Sequence, residues 1–72
     1  MLAESVLSVA ASANMIVVKT LSGSASVAGE ALDSFHWPEV LGTIAGDNTI
    51  FMVVRSQEEV PHVVERIQNM MK

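Results

Sequence analysis

Cysteine is absent from the 72 residues, which excludes disulfides and thiolate zinc sites together. Charge is scarce too: 17% of the residues are charged and 50% are hydrophobic. One domain is all this length allows, and a chain of this size buries only about 60% of its unfolded surface. Small domains usually add a disulfide, a metal or a partner chain, so with cysteine gone a homo-oligomer is expected. Basic residues are few and scattered, at Lys19, Arg55, Arg66 and Lys72, in a chain of net charge −4. They form no patch that could neutralise phosphates, so any contact with DNA must come from another segment. Long apolar runs are missing as well. Lys19 and Ser22 interrupt the aliphatic stretch before it nears the roughly 20 residues of a membrane span. Glu4 sits where a signal peptide needs positive charge, and the lack of cysteine fits a reducing cytoplasm.

What is present is aliphatic and patterned. "ESVLSVAA" (4 to 11) and "MIVVKT" (15 to 20) read as two strands joined by a tight turn at "SANM". After the loop "LSGSAS", Ser24 is placed to cap a helix running to about Phe35. Val27, Ala28, Ala31, Leu32 and Phe35 form its expected core stripe, and "HWP" ends it because Pro38 cannot continue the ladder. "VLGTIAG" and "TIFMVV" predict a second hairpin with its corner at Asp47 and Asn48, residue types that tolerate left-handed turn conformations. "SQEE" reads as a capping box from Ser56 to Glu59. The helix after it admits Pro61 in its first turn, turns Val60, Val63, Val64, Ile67 and Met71 to one side, and ends with Lys72. The expected fold is α+β: a two-layer ββαββα arrangement, with a four-stranded, mostly antiparallel sheet and both helices on one face. Alternation is weak in "MIVV" and "IFMVV", so the opposite sheet face is expected to meet another copy.

Catalytic patterns are wanting. His36 and His62 belong to no HExxH motif, and Ser22, Ser24 and Ser26 to no nucleophile elbow or phosphate loop. Neither catalytic nor metal-binding residues are expected. Phe35 and Trp37 could stack a ligand or simply fill volume, while Glu58, Glu59 and Glu65 read as a solvated helix face. A second stripe on the first helix, Ser26, Gly29, Glu30 and Asp33, lies away from the expected core stripe. With Asp47 at the corner, these two acids would suit a cationic partner, or the stripe is plain solvated surface. Gly29 within the helix suggests close approach by a backbone or a ligand.

Residues 15 to 56, "MIVVKTLSGSASVAGEALDSFHWPEVLGTIAGDNTIFMVVRS", resemble the C-terminal domain of the bacterial arginine repressors, with weaker similarity extending over the whole chain. The resemblance is carried by a strand ending in "KT", a glycine loop, a helix ending in "LDS", and "GTIAGD" running into an apolar strand. It implies that residues 1–72 form an oligomerisation and ligand-binding domain, without the N-terminal winged helix-turn-helix that binds operator DNA in the family. Trimers that pair into hexamers are implied, with L-arginine bound between trimers as co-repressor and no other cofactor, in the cytoplasm.

The family's ligand positions carry over to Asp33, the acid of "LDS", and to Asp47, the first acid after "GTIAG". Two positions depart from the family pattern. Asn48 stands where the family usually has a second acid, and Ser26 where it commonly has Gln or His, which reach further. Ser22 replaces the usual loop proline. Losing one charge-assisted interaction at Asn48 costs on the order of 1.5 to 3 kcal/mol. The expectation is either weakened arginine binding or a ligand-deaf assembly module. A small enzyme is the third and weakest alternative, since fold analogy does not establish activity.

Overall fold

The computed structural model describes residues 2–71. Its elements run α1 (Leu2–Ser5), β1 (Val6–Ser12), β2 (Met15–Thr20), α2 (Ala25–Asp33), β3 (Val40–Ala45), β4 (Thr49–Val54), a 3₁₀ turn (Gln57–Glu59) and α3 (Val60–Met70). Apart from the short α1, this is the ββαββα order expected. The strands form one antiparallel sheet in the order β1-β2-β4-β3. Register places Ile16 opposite Met52 and Val18 opposite Ile50, so the buried positions of β2 and β4 share one face. Ala25, Ala28 and Leu32 of α2 and Val60, Val63 and Ile67 of α3 pack on that face in a single core, with Val64, Met70 and Met71 half-buried at its margin. Lys72, expected to end the last helix, lies outside the described residues.

The first strand begins later than its aliphatic run suggests, because Leu2–Ser5 takes a helical turn before the chain enters the sheet. Each edge strand opens on a bulge, between Val6 and Ser8 in β1 and between Val40 and Gly42 in β3. The extra residues are Leu7 and Leu41, both exposed. The β1–β2 turn is reduced to Ala13 and Asn14, with Ala13 at φ +53°.

The buried line of α2 differs from the expected stripe. It consists of Ala25, Ala28, Gly29 and Leu32, while Val27 is 72% exposed and Phe35 is also exposed. Phe35 lies beyond the helix, which stops at Asp33. The amides of Phe35 and His36 reach back only three residues, to the carbonyls of Leu32 and Asp33, and His36 then adopts φ +54°. The physical reason for the rotated face is size. A Cβ built on Gly29 would lie 3.1 Å from the Cβ of Ala45, so the smallest side of the helix lies against the sheet. Close approach at Gly29 was expected, and its partner is β3.

Neither expected serine cap forms. Ser24 precedes α2 without a side-chain cap bond, and the Ala25 amide donates instead to the carbonyl of Asp47 at 3.1 Å. Ser56 likewise makes no cap bond to backbone; its Oγ donates to Glu59 Oε1 at 2.8 Å, and a 3₁₀ turn intervenes before α3.

Candidate functional site

The corner between β3 and β4 is built from Gly46, Asp47, Asn48 and Thr49, closed by the Gly46 amide donating to the Thr49 carbonyl at 2.8 Å. Positive φ among the described non-glycine residues occurs at Ala13 and His36, so Asp47 and Asn48 do not adopt the left-handed conformation expected of them. Their backbone is shaped from outside instead. The Asn48 carbonyl accepts from the Thr20 amide at 2.8 Å, and the Asp47 carbonyl accepts from the first amide of α2. The end of β2, the start of α2 and the corner are thereby one hydrogen-bonded unit.

Side chains add to it. Ser22 Oγ donates to Asp47 Oδ2 at 3.2 Å. Lys19 Nζ donates to Thr49 Oγ1 at 2.9 Å, and Thr49 Oγ1 donates in turn to Asn48 Oδ1 at 3.0 Å. Asp47 and Asn48 are both exposed. Sequence reasoning missed Lys19 and Thr49 as members of this group. The available signal was strand register, which sets the two opposite each other on β2 and β4.

Ser26 lies in the first turn of α2, next to the residue bonded to the corner, and points to solvent with Glu30 and Asp33. Gly29, placed with them by spacing, is buried on the sheet side. Asp33 ends the helix seven residues after Ser26, about 10 Å away at the usual rise. Within one chain the structure therefore gathers Ser26, Asp47 and Asn48, and holds Asp33 apart. Asp33 lines an open cleft of about 260 Å³ together with Leu32, His36, Trp37, Val40 and Leu41.

Beside that cleft, α3 is tied to the β3 approach. Arg66 donates to both oxygens of Glu39, at 2.9 and 2.8 Å, and its guanidinium lies 5.4 Å from the ring centre of Trp37. Trp37 stacks on Phe35 with centroids 5.2 Å apart, so the two aromatics engage each other and a cation of the chain itself. The Arg66 hydrogen bonds lower the Glu39 carboxyl from 4.5 to about 2, helped by a backbone hydrogen bond and opposed by desolvation. Arg55 forks onto Glu59 in the same way and lowers it too, which takes Glu59 out of the free acidic face expected. These pairs were not anticipated. Among the described residues no group of three or more His, Cys, Asp or Glu is placed to hold a metal ion, and no helix is long and apolar enough to cross a membrane.

Comparison with known proteins bears on this corner-and-sheet architecture. The family model "Arginine repressor, C-terminal domain" matches residues 2–69. Over all 72 residues the chain is 46% identical to an arginine repressor of Thermoanaerobacter sp. (strain X514), of which it covers 48%. It is 51% identical over 59 residues, 82% of this chain, to the arginine repressor of Ruminiclostridium cellulolyticum, covering 39% of that protein. Against the arginine repressor of Clostridium acetobutylicum the identity is 48% over 68 residues, 94% of this chain and 45% of the relative. The chain thus spans about half the length, or less, of these relatives, each named for regulation and none for catalysis. The ββαββα sheet, the "GTIAGD" corner locked to α2, and these matches together establish that the chain belongs to the arginine repressor family, through the family's C-terminal domain.

Proposed function

We propose that this chain is the assembly and L-arginine-sensing domain of a transcriptional regulator of arginine metabolism, acting in the cytoplasm and without enzymatic activity of its own. The observation that carries the assembly role is the outer face of the sheet. There Phe51 pairs with Val17 on one side and Ile44 on the other, and Val53 pairs with Met15. Ile44 is 72% exposed, Phe51 46% and Val53 36%, a cross-strand apolar row with the helices on the other side of the sheet. Apolar surface of this kind in so small a domain favours burial against further copies, as trimers that pair into hexamers.

Arginine would bind between trimers. Asp47 accepts charge-assisted hydrogen bonds from it, with Asn48 and Ser26 beside it. Asp33, at the far end of α2, completes the site from a different copy or from the other end of the same ligand. A ligand that prefers the hexamer shifts trimers toward it by its differential affinity. DNA-binding arms, carried by a segment outside these 72 residues, would then hold an operator with an avidity that separate trimers lack. Sedimentation velocity with and without millimolar L-arginine tests this reading. A shift from trimer to hexamer is expected in the native chain and not in Asp47→Ala; a monomer in both conditions would overturn the assembly role. The second reading, a ligand-deaf assembly module, is favoured by Asn48 and predicts an oligomer whose size and melting temperature ignore arginine.

A further inference from the structure

Asn48 has one side-chain oxygen, and a neighbour already uses it. Lys19 Nζ donates to Thr49 Oγ1, and Thr49 gives its own hydroxyl proton to Asn48 Oδ1 at 3.0 Å. A carboxamide whose oxygen is engaged has its amide hydrogens left to offer. Asp47, the adjacent residue of the same exposed corner, has Oδ2 engaged by Ser22, and its other oxygen remains an acceptor. The corner therefore presents an acceptor and a donor side by side. With Asp at position 48 the same Lys19–Thr49 relay would engage one carboxylate oxygen and leave the other as a second acceptor. One atom's difference reverses the outward polarity at constant shape.

A guanidinium has five donors and no acceptor, so it satisfies Asp47 and meets Asn48 donor against donor. A ureido or carboxamide group of the same planar shape has N–H donors beside a carbonyl and satisfies both. The Lys19 ammonium, one hydrogen-bonded residue further back, also disfavours a second cation and is indifferent to a neutral group. We propose that Asn48 is a specificity-determining residue, selecting an amino acid with a neutral ureido or carboxamide end over one with a guanidinium end. The inference rests on the reading of the corner as a ligand site and changes what that site prefers. Arginine keeps its interaction with Asp47 and binds more weakly.

Calorimetric titration with L-citrulline and L-arginine, on the native chain and on Asn48→Asp, tests it. The native chain is expected to prefer citrulline by at least about tenfold, the worth of one mismatched charged hydrogen bond, and Asn48→Asp to prefer arginine. Thr49→Val releases Asn48 Oδ1 and should narrow the native preference, whereas a merely structural role would weaken both ligands alike. Equal affinities, or a preference for arginine in the native chain, would overturn the proposal. Arginine binding confined to Asn48→Asp, with the native chain silent to both ligands, would overturn the selectivity and leave the corner a ligand site. Silence of both chains to both ligands would remove the site itself.

Discussion

Glu39 shows how much a single side chain can set. Its carboxyl titrates at about 2 in the fold against an ordinary 4.5, chiefly through the two hydrogen bonds from Arg66. A folded value below the unfolded one stabilises the protein above the unfolded value, and that stabilisation is lost as pH falls from 4.5 through about 2. The urea midpoint should therefore drop across this window, and drop less in Glu39→Gln, which has no carboxyl proton to take up. Equal drops in the two proteins would assign the acid sensitivity elsewhere, with Glu59 the next acid to examine because Arg55 lowers it as well. None of this was legible in the sequence, since Glu39 and Arg66 are 27 positions apart and local spacing is blind to such pairs. Asp47 was legible by resemblance. Its hold on the Ala25 amide was not, because a backbone carbonyl serving another element leaves no residue-type signal.

Among the elements, the strands were read most faithfully. β2 and β4 carry their β-branched and aliphatic residues where the sheet needs them, and alternation emerges as soon as one face is packed. The bulges were not foreseen, since an extra leucine looks like any other strand residue until the partner register is known. Helix α2 was misread in orientation. Periodicity ranks side chains by polarity and so favoured Val27, whereas Ala25, Ala28 and Gly29 are buried because they are small enough to bring the helix against β3. Gly29→Ala puts the two effects in opposition. Helix propensity favours alanine by about 1 kcal/mol, while overpacking typically costs about 1 to 3 kcal/mol. The new methyl would meet Ala45 Cβ at 3.1 Å, and that atom is fixed directly to a strand with no side-chain end to swing away. A net loss of up to about 2 kcal/mol is expected in denaturant unfolding; a gain would mean that β3 yields more readily than its pairing suggests.

At the scale of the whole molecule, the sheet is the means of assembly and its edges are poor ones. Both edge strands begin with a bulge, a feature that twists an edge away from further pairing. Copies should then meet through the apolar face, not by extending the sheet. Phe51→Glu, which puts a charge into the centre of that face, is expected to reduce the sedimenting mass toward monomer while leaving the circular dichroism of the sheet intact. An oligomer of unchanged size would move the interface elsewhere. The aromatic stack has a consequence of another kind. Trp37 is the sole tryptophan, and it lies in van der Waals company with Phe35 and Arg66 while lining the cleft that holds Asp33. Its ultraviolet emission therefore comes from one address, the junction of α2, β3 and α3. A ligand or a second copy that reaches Asp33 should register as a change in that glow, with no label attached, whereas an event confined to the Asp47 corner should leave the light as it was.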